Sequence, residues 1–585
     1  MNEVWNLERM YSGFDDPKYE ADFSAFQQKV EEFIVFTKNL EGVEPLEGLK
    51  AGIRLQEELD LVSDTLGAYP RLRAATDAKD VEAISQSGRI MSVYSNMAGA
   101  GTTFRKWACS IPNLMELVPQ DAFLADYTFF FQSMLEMQRY ALSPDASQVS
   151  AKLRMSGGSA WAKLQGELTS TVPVHYRGTV TNLSSIRNLA YDPDPQVRKD
   201  AYEAELACYE AIKQPVAHAL NAIKLETIST CQLAGYESPL AMTLKRSDME
   251  RATLDAMLSA MDEYLPKFWQ YLKVKAKALG HENGLPWYDL FAPMGDSSTT
   301  FTTEQAKDFL LQQFATFDQE LTDMVRRAFD DAWIDFYPRD GKRGGAFCSS
   351  IHAIGESRIL TNYDGMFTDV VTLAHELGHA FHNLCIHPHR TLNHGYSMPV
   401  AETASTFNEC VVMNAAIKAA SDKQERIALI ESQLQDATQI ICDIYSRYRF
   451  ETAVFANRES KFMNADTLSG YMLEAQKQSY GDGLDHSCLH PYMWICKSHY
   501  YGPTFYNFPY AFGGLFARGL YAQYEKEGAA FVPKYKKLLY TTPIATAEDT
   551  AKVAGIDLTD RAFWCSALQT IADQIDMFCA LMEEA

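Results

Sequence analysis

The stretch Thr372-Leu-Ala-His-Glu-Leu-Gly-His-Ala-Phe-His382 decides how this chain is read. Apolar residues fill most positions around its polar ones, including Val371, Leu373, Ala374, Leu377, Ala380 and Phe381, and no proline interrupts it, so the pattern predicts a buried helix. Residues four apart share a helix face, which lets His375 and His379 present two imidazoles to one metal ion. Zinc takes such nitrogens at about 2.0–2.1 Å. Glu376 directly follows the first histidine and leans toward the open side of that ion, where a carboxylate can take a proton from water. Gly378 is a poor helix former, and its use here suggests a helix kept thin so that another segment can approach.

A third donor lies downstream in Pro399-Val-Ala-Glu-Thr-Ala-Ser-Thr-Phe-Asn-Glu409, again with helical spacing. Glu402 comes 402 − 379 = 23 residues after the second histidine, enough for a loop and a returning helix. Two histidines, one carboxylate and an open position for water make a catalytic zinc site, one ion per chain, rather than a closed structural one. Glu409 lies seven residues beyond Glu402 on the same face, placed to hold a ligand histidine by its other nitrogen. The competing reading is a core helix pair with incidental acids.

The rest of the chain bounds the setting. Lys plus Arg number 53 against 76 Asp plus Glu, a formal charge of −23 that argues against nucleic-acid binding. Glu3, Glu8 and Arg9 interrupt the N-terminal stretch, so no signal peptide is visible, and no apolar run is long enough for a membrane span. Eleven cysteines occur without a CxxC pair, which favours reduced thiols and a cytoplasmic location. His486, Cys488, His490 and Cys496 form a second group, but their spacing fits no usual zinc module and buried thiols are the default.

Residues 1–200 read as successive helices; Phe23, Phe26, Val30 and Phe33 form one amphipathic stripe, and further patterns run through 56–66, 80–95 and 128–141. Val172-Pro-Val-His-Tyr-Arg-Gly178 breaks the pattern as a loop or short strand, with His175 a surface histidine. Helices continue from residue 201, with capping-box signatures at Ser247-Asp-Met-Glu250 and Thr302-Thr-Glu-Gln305. Asp192-Pro-Asp-Pro195 suggests a boundary between an N-terminal helical domain, 1–200, and a catalytic domain, 201–585. Between 335 and 370, Gly341, Gly344 and Gly345 end the helical pattern, and Ala346-Phe347 and Arg358-Ile-Leu-Thr-Asn-Tyr363 favour short strands. An extended peptide can pair with such an edge through its own backbone.

HELGHAFH followed by AETASTFNE resembles oligoendopeptidase F and its relatives among the thimet-oligopeptidase-like zinc peptidases. Asp335-Phe-Tyr-Pro-Arg-Asp-Gly-Lys-Arg-Gly-Gly-Ala-Phe347, Trp287-Tyr-Asp-Leu-Phe-Ala-Pro293, Ser159-Ala-Trp-Ala-Lys-Leu164 and Trp5-Asn-Leu7 are also similar, so the resemblance covers nearly the whole chain. It implies a mainly α, multi-helical zinc-peptidase fold with a small β-sheet beside the active site and a deep substrate channel. It implies cleavage of internal bonds in short peptides, with Gly345, Ala346 and Phe347 binding substrate. In His499-Tyr-Tyr-Gly-Pro-Thr-Phe-Tyr-Asn-Phe-Pro-Tyr-Ala-Phe-Gly513 it assigns His499, with Tyr506 or Tyr510, as candidate donors to the oxyanion, on a loop shaped by glycines and Pro503. This loop departs from the thimet branch, which is richer in glycine there. A carboxypeptidase of the same superfamily and a noncatalytic peptide-binding protein with structural zinc are the alternatives. The sequence leaves the oligomeric state open.

Overall fold

A computed structural model describes residues 3–295, 300–502 and 504–583; Pro503 lies outside them. The protein is mainly helical. Its strands are β1 (Val174–Tyr176), β2 (Thr179–Thr181), β3 (Ile334–Asp335), β4 (Phe347–Ile351) and β5 (Glu356–Leu360). Contacts divide the chain into two compact units, each assembled from three separate segments. The composition break near residue 195 falls inside the second of them.

The first unit comprises Met1–Arg139, Thr299–Ala415 and Gln523–Gly555. Its opening helix, Pro17–Lys38, starts where the Asp16 side chain accepts the Lys18 N–H and proline occupies the first turn. Phe23, Phe26, Val30 and Phe33 are all buried, as their spacing predicts, and pack with Leu49, Ile53 and Leu66 of helix Pro45–Thr76. The capping box at Thr302 forms: the Thr302 Oγ1 accepts the Gln305 N–H at 3.2 Å, and Gln305 Oε1 accepts the Thr302 N–H at 2.8 Å.

The sheet of this unit has the order β3-β5-β4. β5 is buried along its whole length and pairs antiparallel with β4, from Phe347↔Leu360 to Ile351↔Glu356, through a turn at Gly355 whose φ of +62° suits glycine. β3 lies parallel to β5 on the other side. β4 is therefore an edge strand, and among the described residues no strand pairs with its outer side. Helix Phe367–Ile386 follows directly, longer than the motif itself and buried on the face of Leu373, Leu377 and Phe381.

The second unit comprises Tyr140–Ser298, Ala416–Ala522 and Ile556–Ala585. Helices Lys213–Ala234, Ile444–Arg458 and Ala465–Tyr480 pack around Leu220, Val454, Leu468 and Trp494. Helix Arg251–Ala278 lies against Arg561–Glu583, with the Tyr271 and Phe578 rings edge-on at 5.4 Å. The break at 172–178 is the hairpin β1–β2, with His175 exposed on it. The capping box expected at Ser247 does not form. Ser247 closes the preceding helix, Pro239–Arg246, and Glu250 is the residue before Arg251–Ala278, making no side-chain cap. The motif matched in sequence, but Asp248 takes a φ of +48°, which breaks the register that a capping box needs. Among the described residues no helix is long and apolar enough to cross a membrane.

Candidate active site

His375 and His379 stand one turn apart on helix Phe367–Ile386, their rings nearly perpendicular with centroids 4.9 Å apart. Glu402 reaches them from a junction rather than from a continuous helix. A short helix, Met398–Ala401, ends there, and a long one, Thr403–Ala419, begins. Glu402 takes φ −89° and ψ 8° at that break, and its Oε2 accepts the Ser405 hydroxyl at 2.9 Å. The two elements approach this closely because of Gly378. A Cβ there would lie 2.5 Å from both Ala404 O and Ser405 Cα. The glycine read from sequence as a thin point is the crossing point of the two helices.

The donor atoms fit a metal ion. Glu402 Oε2 lies 3.3 Å from His375 Nε2 and 3.4 Å from His379 Nε2. Four tetrahedral bonds of about 2.05 Å place donors about 3.3 Å apart, the separation found here. His375, His379 and Glu402 are also the one group among the described residues whose side chains could hold such an ion. Glu409 Oε1 lies 2.6 Å from His375 Nδ1, so the far nitrogen carries the proton and Nε2 is left as the donor. Burial lowers the His375 imidazole, yet the carboxylates of Glu402 and Glu409 outweigh it and lift the group to about 10. A site that stabilises extra positive charge so strongly suits a divalent cation.

Glu376 is 6% exposed, and burial pushes its carboxyl above the usual value while His375 and His379 pull it down. It shares with the metal donors a cavity of about 580 Å³, which Ala346 and Phe347 of the expected substrate-binding segment also line. Gly345 sits just before β4 at φ +80°, its carbonyl accepting the Asn362 side-chain amide at 2.8 Å. Sequence reading passed over other residues of this wall. Cys348 and Ser350 come from β4, Asn383 from one turn past His379, and His352 and His394 stack with centroids 4.0 Å apart. Asn383 could have been found, since 375, 379 and 383 form one helical stripe; His352 and His394 carry no such signal.

His499, Tyr506 and Tyr510 lie in the second unit and gather there. The His499 and Tyr506 rings stack at 5.5 Å, and Tyr510 stands edge-on to both, at 5.9 and 5.7 Å. Burial lowers the His499 imidazole, helped by the charges of Arg447 and Lys497 and opposed by Asp443, so the ring is neutral near pH 7. The second histidine and cysteine group does not assemble: His490 pairs with Glu205 at 3.2 Å, His486 with Gly481 O at 2.8 Å, and Cys496 lies 3.1 Å from Arg187 Nη1.

A cavity that gathers positive charge between imidazoles, keeps a buried carboxylate beside it and lies along an unpaired strand edge is built to turn water against a peptide carbonyl. Fold and site together define a metallopeptidase. The model of peptidase family M3 matches residues 188–570, and the chain belongs to that family. It is 22% identical over 604 residues to an oligoendopeptidase F homolog of Borreliella burgdorferi, covering 100% of this chain and 98% of that protein. Identity to oligopeptidase PepF of Bacillus subtilis is 25% over 400 residues, 68% of this chain but only 58% of the relative's length. Among solved structures, a candidate peptidase from Chlamydophila abortus superposes with a TM-score of 0.84 at 19% identity, covering 99% of this chain and 98% of its own. Oligoendopeptidase F from Enterococcus faecium does so with 0.72 at 16%, covering 97% and 100%.

Proposed function

We propose that the protein is a zinc-dependent endopeptidase that cuts internal bonds of short peptides, with one zinc ion held by His375, His379 and Glu402. The observation that carries this reading is the near-tetrahedral spacing of three donors in a cavity that also holds the buried Glu376 carboxylate. Bound zinc would supply Lewis acidity, polarising a carbonyl and acidifying water. Glu376 accepts the proton of the attacking water and delivers it to the leaving nitrogen as the C–N bond breaks. Glu409 keeps the His375 proton on Nδ1. The main chain at Gly345, Ala346 and Phe347 binds the substrate as an added strand, supported by the unpaired edge of β4. His499, Tyr506 and Tyr510 donate to the oxyanion; their mutual clustering and the neutral imidazole support that role. The restriction to short peptides follows the names of the relatives, oligopeptidase and oligoendopeptidase. Residence in the cytoplasm rests on eleven cysteines scattered without a CxxC pair.

The test is a peptide blocked at both ends, with products read by mass spectrometry. Internal fragments are expected from the wild type. Glu376→Gln should keep its zinc and lose about 10²–10⁴-fold in turnover, while Glu402→Ala should lose the metal as well. Cleavage of free-ended peptides only would make the enzyme a carboxypeptidase. A Glu376→Gln variant with full rate would show that Glu376 is not the base, and a zinc-loaded wild type that cleaves no peptide would leave a binding protein with structural zinc.

A further inference from the structure

The second unit holds a fully buried ion pair that the chemistry above does not use. Lys224, on helix Lys213–Ala234, and Glu451, on helix Ile444–Arg458, are 1% and 0% exposed, with Nζ and Oε1 2.6 Å apart. Stripping water from two charges costs more than such a contact usually returns, and a well-packed apolar pair commonly gives equal or greater stability. What the apolar pair cannot supply is the remaining set of acceptors on the carboxylate. Glu451 Oε1 also accepts the Phe505 N–H at 3.2 Å, and Oε2 accepts the Asn507 side-chain amide at 3.4 Å. Both donors belong to the turn that carries Tyr506.

That turn is held at every other point as well. The Thr504 carbonyl accepts the Thr243 hydroxyl at 2.9 Å. Phe505 takes a φ of +50°, a left-handed conformation that costs free energy for a bulky residue and persists only where the surroundings impose it. Its ring lies between Tyr448, at 5.6 Å, and Phe455, at 5.4 Å. The Asn507 carbonyl accepts the Tyr510 N–H at 3.1 Å, tying the turn to the first turn of helix Phe508–Glu527. Thr504, Phe505, Asn507 and Phe508 are all buried; Tyr506, between them, is the side chain left partly exposed. A strained, fully anchored turn that presents one tyrosine outward fixes where that hydroxyl points.

We infer that Lys224 and Glu451 are positioning residues for the peptidase reaction, acting through the 504–507 turn to hold the Tyr506 hydroxyl in place. The inference rests on the assignment of Tyr506 as an oxyanion donor. Lys224 pairs with Glu451 and holds its carboxylate in one orientation in an apolar surrounding. Glu451 spends its other lone pairs on the turn. Loss of the pair leaves the Phe505 N–H unanchored, and the strained backbone relaxes toward ordinary φ values, carrying Tyr506 with it.

The experiment is a cycle of four full-length, zinc-loaded proteins: wild type, Tyr506→Phe, the apolar double variant Lys224→Met/Glu451→Leu, and all three changes together. The double variant should fold and keep its zinc, melting lower because the buried Phe505 N–H and Asn507 amide lose their acceptor, and lose at least tenfold in kcat with KM within about twofold. In the Tyr506→Phe background the same double change should cost less than twofold, because the hydroxyl it positions is already gone. Thr243→Val, an isosteric change that frees the Thr504 carbonyl, should show the same dependence on Tyr506 with a smaller loss, and it serves as the readout if the double variant does not fold. A folded double variant, or Thr243→Val in its place, with wild-type kcat beside an impaired Tyr506→Phe overturns the positioning role alone. A wild-type rate for Tyr506→Phe overturns the donor assignment and the inference with it. Losses that simply multiply in the combined variant overturn action through Tyr506.

Discussion

Gly378→Ala is the sharpest perturbation of the site that leaves every donor in place. The added Cβ would sit 2.5 Å from Ala404 O and Ser405 Cα, whereas ordinary contact begins at 3.4 Å, so the helices must part by 3.4 − 2.5 = 0.9 Å. Both obstacles are backbone and cannot rotate away. Overpacking of this kind costs about 1–3 kcal/mol, and replacing a helical glycine with alanine returns about 1 kcal/mol of propensity. We expect a net loss of up to about 2 kcal/mol, a fall of up to about 3 °C in the melting temperature of metal-free protein. Glu402 immediately precedes the displaced helix. A shift near 0.9 Å would take its Oε2 from 3.3 and 3.4 Å to beyond the donor spacing zinc accepts. Metal affinity, measured by competition with a chelator, should drop at least about tenfold. Gly470→Ala is the control: nothing lies within 4 Å of a Cβ there, and the variant should gain up to about 1 kcal/mol. A Gly378→Ala protein that melts at or above wild type and binds metal equally well would refute the close crossing.

Two further outcomes follow from neighbouring residues. Glu409→Ala should weaken metal binding about 10–100-fold in the same competition assay without removing a ligand, because His375 loses the acceptor for its Nδ1 proton; unchanged affinity would show that this pair does not orient the imidazole. His382 is fully buried, its ring stacked 4.1 Å from Tyr396, and burial together with the charge of His379 depresses it to about 3. Its unfolded pKa is about 6.5, so as pH falls below that value the unfolded chain binds a proton that the folded one does not. Stability should therefore be complete above pH 6.5 and fall by up to about 1.4 kcal/mol per pH unit on the way toward pH 3. Chemical denaturation across that range should show the slope in wild type and a shallower one in His382→Phe.

The parts of the site that were legible in sequence are those with local periodicity. His375, Glu376 and His379 announce themselves by helical spacing, and Glu402 by its distance from them and the helical spacing around it. The same logic located the Phe23 stripe and the Thr302 cap. It failed where conformation depends on a single dihedral: the left-handed Asp248 defeats an otherwise proper cap at Ser247, and the strained Phe505 is invisible in the letters around it. It also missed the break at Glu402, since Pro399 opens one short helix while the residues after it open another. The histidines at 352 and 394 meet only through the β4–β5 turn and the loop after the metal helix. The division into two units eluded it for a related reason. Each is made of three segments separated by stretches of 33 to 159 residues, and no composition shift marks a chain that leaves and returns.

That interleaving has a consequence for how the protein is made. By the time Glu402 leaves the ribosome every proposed metal ligand exists, but the back of the metal helix is still uncovered. His382 donates to or accepts from the Thr542 hydroxyl at 2.8 Å, and Phe407 stacks on Tyr535 at 4.4 Å, so the segment that seals this face is translated 542 − 402 = 140 residues later. At about 5–20 residues per second the delay is about 7–28 s. During that interval the nascent chain carries a pair of histidines on an open amphipathic helix, able to take up whichever divalent ion or chaperone arrives first. Peptidase activity would be withheld until the segment around Tyr535 and Thr542 has been synthesised.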